Sequence, residues 1–238
     1  MIIFPHNWNK NYGKLYSSPK VDVQVIIDKL MDIMQSLDDA PHLAYSGGID
    51  STIILAIMVI SFERPINTYT ISSREDHPDI QFARIGSKHY GSIHHEFIVD
   101  PNNTNTDRFE GDNVVRQFFI EVSKYTDRIM CCDGIDEFMC GYYPHQSGSD
   151  ITYKYYLDSL SSDHLVPLNK NSGDVIVYLP YLDESMIDIY RIIPLPSKVS
   201  VDDRKLIIRD MAAQLNVPAE IMNRNKYGMC DAFREKDK

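Results

Sequence analysis

No stretch of the 238-residue sequence is apolar for long enough to span a bilayer. Its start, Met1-Ile2-Ile3-Phe4-Pro5-His6, lacks the charged-then-apolar layout of a secretory signal. A cytoplasmic protein with no membrane partner is therefore expected. Positive charge is also short: the formal net charge of −10 leaves no evident basic stripe for a nucleic-acid backbone, so nucleic acid is not expected as a partner. Cysteine is sparse. Cys131, Cys132, Cys140 and Cys230 form no CxxC pair and show neither disulfide-framework nor metal-ligand spacing, so free thiols are expected. What remains is ordinary for a soluble globular chain, with 43% hydrophobic and 24% charged residues, enough to bury a core.

The informative stretch is His42-Leu43-Ala44-Tyr45-Ser46-Gly47-Gly48-Ile49-Asp50-Ser51-Thr52, followed by an apolar run to Ile60. It reads as strand, tight turn and helix. Gly47 and Gly48 let the backbone take positive φ and approach a ligand closely. Such a turn aims free N–H groups and the positive end of a helix dipole at one spot, where a phosphate fits. Ser46 and Ser51 add hydroxyls. Asp50 repels a phosphate unless a cation lies between them, and Mg²⁺ is the usual choice. Neither the Gly-Lys-Ser/Thr loop nor GxGxxG is present.

Before this turn, the spacing of Val25, Ile26, Leu30, Ile33, Met34 and Leu37 predicts a helix over 21–37. After it, strands are expected at 66–71, 93–99 and 128–132, with helices from Pro78 to about residue 90 and around 114–122. Strands alternating with helices predict an α/β, doubly wound (Rossmann-like) parallel sheet, helices on both faces, with a small helical C-terminal part. Ligands of such sheets sit beyond the carboxyl ends of the strands, where strand order reverses. With the order 3-2-1-4, the Gly-Gly turn and Asp133-Gly134-Ile135-Asp136-Glu137 become neighbours there. The chain is divided as an irregular lead-in over 1–20, one domain over 21–230, and a charged tail over 231–238. Tyr153, Tyr155, Tyr156 and Leu157 suggest a helix and Asn169–Asp174 a loop within 144–176.

Ser46-Gly47-Gly48-Ile49-Asp50-Ser51 resembles the pyrophosphate-binding loop of the N-type ATP pyrophosphatases. Cys131-Cys132-Asp133-Gly134-Ile135-Asp136-Glu137 through Tyr142 resembles a segment of the asparagine synthetase family. So do Pro78-Asp79-Ile80-Gln81-Phe82-Ala83, His94-His95-Glu96, Leu179-Pro180-Tyr181-Leu182-Asp183 and Arg224-Asn225-Lys226. The resemblance spans roughly residues 40 to 230 and implies a HUP-type fold in a short standalone member, of a kind that phage genomes carry.

The same resemblance implies ATP and Mg²⁺ as cofactors. Asp50 and Asp136 would hold Mg²⁺, and Ser46, Gly47, Gly48 and Ser51 the phosphates. Ile71 and Ser72 would meet adenine through backbone groups, with Cys132 and Gly134 also on the nucleotide. Lys226 would neutralise charge at the α-phosphate. Asp133 stands where the family has a glutamate that handles the incoming amine, one methylene shorter here. Cys140 replaces a family glycine. The family's glutaminase domain, which begins with a nucleophilic cysteine, has no counterpart ahead of the loop, and 144–176 is a shortened substrate-side insert.

The implied reaction is adenylation of a carboxylate or amide-like oxygen, then amide formation. Its partners are ATP, a small-molecule acceptor, and ammonia or an amine donor from a separate protein. Two alternatives stay open: a nucleotide-binding protein with a degenerate acceptor site that acts through partners, and a tRNA- or nucleobase-modifying relative using Cys131 or Cys132. Glu137, Tyr181 and His94 are read as structural.

Overall fold

The computed structural model describes residues 22–38, 42–100, 110–225 and 229–233. The expected lead-in over 1–20, most of the loop over 100–111, and residues 234–238 of the tail lie outside them. In chain order the elements are α1 (Val23–Gln35), β1 (His42–Ala44), α2 (Ile49–Phe62), β2 (Asn67–Ser72), α3 (Pro78–Tyr90), β3 (Ile93–Ile98), α4 (Glu110–Val122) and β4 (Arg128–Met130). There follow α5 (Ile135–Phe138), α6 (Asp150–Leu160), α7 (Val166–Asn171), β5 (Ile176–Tyr178), α8 (Glu184–Ile192), α9 (Leu195–Lys198), α10 (Leu206–Gln214) and α11 (Ala219–Met222).

The five strands form one parallel sheet in the order β3-β2-β1-β4-β5. The chain moves outward from β1 to β3, then returns across the sheet to β4. Right-handed crossovers therefore put α4 on the face opposite α2 and α3. That reversal makes the gap between β1 and β4 the switch point. α2 is apolar on nearly every side, and Ile53 through Met58 are all buried, so it forms the centre of its layer. α1 covers it with Ile26, Ile27, Leu30 and Met34, and α10 packs against it too. α4 packs with α7 and with residues 229–233 on the other face. The local signals are legible: Pro78 opens α3, the His77 ring accepts from the Asp79 N–H at 3.1 Å, and Gly91 ends it at φ 66°.

Three expectations need correction. The edge strand β5 is absent from the sequence reading, since three residues are too few to show a period. Asn169–Asn171 are helical, because α7 begins with Pro167 in its first turn and runs on. The fourth strand ends at Met130, so Cys131 and Cys132 belong to the turn, although the Cys131 N–H still donates to the Tyr178 carbonyl at 2.9 Å.

His94 on β3 is a packed ring. Its Nδ1 lies 2.9 Å from Thr68 Oγ1 and its Nε2 3.7 Å from Glu96, which Arg84 grips through two bonds of 2.6 Å. Burial lowers its pKa to about 4, against an upward pull from Glu96. The folded chain thus favours the neutral ring more than the unfolded chain does. Its contribution to stability is intact above the unfolded value of 6.5 and is lost as pH falls toward about 4. Urea titrations should show the wild type losing roughly 3 kcal/mol more than His94→Gln across that window. Parallel pH profiles for the two proteins would refute this.

Candidate active site

The turn after β1 is shaped by contact as well as by its ligand face. Gly47 has φ +64°, and a Cβ there would lie 2.3 Å from the Ala83 backbone N, so the loop presses directly on α3. Gly47 consequently stands behind the wall, while Ser46, Gly48, Asp50 and Ser51 line a cavity of about 620 Å³. Gly48 caps α2 without a side-chain acceptor, leaving the helix N-terminus open on that cavity. Ser46 Oγ accepts from the Gly48 N–H at 3.3 Å. The Ser51 and Thr52 hydroxyls donate to the Gly48 carbonyl at 3.2 and 2.8 Å.

The turn after β4 supplies the opposite wall, with Cys132, Asp133, Gly134, Asp136 and Glu137 on the same cavity. The two turns converge on a third element that sequence reasoning missed. Lys205 Nζ lies 2.5 Å from Asp50 Oδ2 and 2.6 Å from Asp136 Oδ1. Burial alone would lower the pKa of this amine, but Asp136 and Asp50 outweigh it and hold the ammonium form above the ordinary lysine value. Lys205 sits just before α10 in a left-handed conformation, φ 57°. Gly141 makes room for it: a Cβ at Gly141 would stand 1.7 Å from Asp136 Oδ1 and 2.6 Å from Lys205 Cε. Arg204 anchors the turn by donating to the Gly141 carbonyl at 2.6 Å and lying over the Tyr143 ring at 3.7 Å. Tyr181, fully buried, donates to the Asp50 carbonyl at 3.0 Å. Nothing in the polar run Asp202-Asp203-Arg204-Lys205 marks it as a site, because the signal is a backbone conformation and a long-range contact.

At the far end, Glu137 is buried, accepts from the Tyr142 hydroxyl at 2.6 Å and lies 3.6 Å from His164 Nε2. The π-turn Ser161–Leu165 brings Asp163 and His164 to the cavity, as π-bulges often do at sites. Burial raises the pKa of Glu137 and of Asp133, with His164 opposing in both cases. Burial, then Asp50, Cys131 and Asp133, push the Cys132 thiol up, and burial and Asp133 do the same for Cys131. Neither is poised as a thiolate nucleophile.

The C-terminal segment closes the third side. Arg224 donates to Asp79 Oδ1 at 2.5 Å and to the Ser46 carbonyl at 2.8 Å, and lies over the Phe82 ring at 4.8 Å. Ile71 lines the cavity beside Met229 and Ala232. Ser72 does not; its hydroxyl donates to the Ala232 carbonyl at 3.1 Å. Lys226 lies outside the described residues.

The Asp79 and Arg224 side chains are 3% and 5% exposed, so removing either one takes the charged partner of this ion pair from a largely buried group. Arg224→Met alone should cost about 3 to 5 kcal/mol, and the double replacement Arg224→Met with Asp79→Leu distinctly less than the sum of the single ones. A double-mutant cycle on urea midpoints measures it, and additive losses would refute the pairing.

Among the described residues no group of three or more His, Cys, Asp and Glu side chains is placed to hold a metal. A pair of carboxylates nevertheless fits Mg²⁺, which commonly takes one or two from protein and completes its shell with water and substrate phosphates. Asp50 and Asp136 already share one cation, so their oxygens stand close enough for a single ion to bridge.

The asparagine synthase family matches this chain over residues 34–110, which carry the first turn and the start of α3. The glutamine-hydrolysing asparagine synthetase of Bos taurus is 24% identical over 255 residues, covering 90% of this chain and 43% of that protein. The enzyme of the same name from Gallus gallus is 25% identical over 229 residues, covering 79% and 39%. The chain thus spans less than half the length of these relatives. The structure of NMN synthetase from Francisella tularensis aligns with TM-score 0.54 at 13% identity, covering 89% of this chain and 78% of that one, a likeness of fold. The chain is thus similar in sequence to asparagine synthetases, most of all over residues 34–110, and shares the Rossmann-like fold of a synthetase.

Proposed function

We propose that the chain is an ATP pyrophosphatase-type ligase that adenylates a carboxylate or amide-like oxygen and passes the acyl group to an amine. The observation that carries this is the meeting of Asp50 and Asp136, from the two turns at the switch point, on one buried ammonium at the mouth of the Gly-Gly loop. Carboxylates converge with positive charge in this way where a phosphate chain must be held and its developing charge neutralised.

In the first half-reaction the acceptor oxygen attacks the α-phosphorus. The bond to the bridging oxygen breaks, and pyrophosphate leaves. The helix N-terminus at Gly48, with Ser46, holds the departing phosphates. Asp50 and Asp136 would hold Mg²⁺, which supplies charge neutralisation on those phosphates when bound. The apolar side of the cavity, with Ile71, Phe119 and Met229, suits a purine ring. In the second half-reaction an amine attacks the acyl carbon, AMP leaves with the former acyl–phosphate oxygen, and the amine gives up a proton. Asp133, raised in pKa by burial, lines the wall where that nitrogen would arrive. The catalysis asked of the protein is mainly positioning and preorganised charge. The raised thiol pKa values of Cys131 and Cys132 support no sulfur-carrying alternative.

The test is pyrophosphate–ATP exchange over a panel of amino acids and small carboxylates with Mg²⁺ present. Exchange should be found with at least one acceptor, and Asp50→Asn and Asp136→Asn should each lower it at least a hundredfold. Tight ATP binding with no exchange under any acceptor would instead favour a nucleotide-binding protein without an acceptor site. Lys226→Met should lower the maximal exchange rate by two orders of magnitude with little change in KM, the signature of an interaction made in the transition state. An unchanged rate would remove Lys226 from the reaction.

A further inference from the structure

We propose that Lys205 occupies the divalent-cation position of the nucleotide-free site, so that a metal ion is admitted only together with its nucleotide. The inference deepens the proposed nucleotide reading and rests on it.

Three features hold this amine in place. Lys205 keeps a left-handed backbone at φ 57°, directly before α10. Its side chain runs through the space left by the missing Cβ of Gly141. Arg204, its neighbour, is fastened to the Gly141 carbonyl at 2.6 Å. The outcome is an ammonium 2.5 and 2.6 Å from both carboxylates and 9% exposed, a placement that a loosely solvated surface lysine does not have. In this state one of the pair's two negative charges is neutralised. A free divalent ion arriving there meets a like charge already seated between the two carboxylates. A metal arriving on a triphosphate brings its own oxygen ligands. The same phosphates offer the displaced ammonium new anionic partners, so it need not be left in an apolar wall without a counter-ion. Ordering of this kind keeps the acidic pair from being occupied by bare cytosolic-type divalent ions.

The probe is Mn²⁺ alone, followed through the loss of its free electron paramagnetic resonance signal and through thermal melting of the full chain. The wild type without nucleotide should bind Mn²⁺ at least tenfold more weakly than Lys205→Met, and Mn²⁺ should raise the melting temperature of the variant but not of the wild type. Lys205→Gln serves the same comparison where Lys205→Met fails to fold. Adding Asp50→Asn to either variant should abolish the gained site. Equal Mn²⁺ affinity for wild type and variants overturns the proposal, as does the absence of a site in both variants. A parallel titration with Mn²⁺ and α,β-methylene-ATP on the wild type keeps the two readings apart. Failure of that nucleotide to bind counts against the ligase reading, whereas the metal-only comparison judges Lys205 by itself.

Discussion

Two carboxylates brought together in a partly buried cavity repel each other unless a positive charge lies between them. In this chain Asp50 and Asp136 are brought together, and Lys205 is that charge. Much of the architecture is what this arrangement requires. β1 and β4 must be neighbours so that the turns following them face each other, and the sheet order provides this. Gly141 must lack a side chain so that both Asp136 and the lysine fit. Tyr181, from the segment after β5, fixes the backbone of Asp50, so even the edge of the sheet contributes to the geometry at its centre.

The cavity is electrically uneven, and that unevenness divides its work. Lys205 lies between Asp50 and Asp136, and Arg224 sits against the Gly-Gly turn on the Ser46 carbonyl. Asp133, Glu137 and Asp163 gather at the other end with His164. Under the proposed function a phosphate tail would occupy the first region. In the second, burial raises both Asp133 and Glu137 toward the neutral form. Tyr142, stacked on Tyr156 at 4.6 Å and bonded to Glu137, makes that end rigid.

The parallel sheet, its inner strand order and the two facing turns were legible in the sequence, because each rests on local signals. Gly-Gly before an apolar helix, Pro78 at a helix start and β-branched runs all report nearby backbone geometry. Asp50 and Asp136 could be paired on paper because the topology of a doubly wound sheet places the ends of β1 and β4 side by side. Lys205 could not, since its partners are far away in sequence and its conformation is one that lysine rarely adopts. Cys140 has φ 60°, a left-handed conformation that favours glycine, and this is visible only in coordinates. Gly47 and Ser72 also have packing roles that the sequence does not reveal. Gly47, from the loop motif, presses on α3, and Ser72, from the end of β2, donates to the Ala232 carbonyl. Lys226 remains a reading from the sequence, outside the described residues.

Arg224 reaches the Ser46 carbonyl across a separation of 178 residues, and Ala232 meets Ser72 across 160. The first loop of the sheet is therefore finished by almost the last segment described. On the ribosome, the Gly-Gly turn must wait for the 178 residues that separate Ser46 from Arg224 before its final shape is available. A nascent chain that has made only the sheet would carry the loop without its clasp, and the cavity would assemble only once the Arg224 segment has emerged.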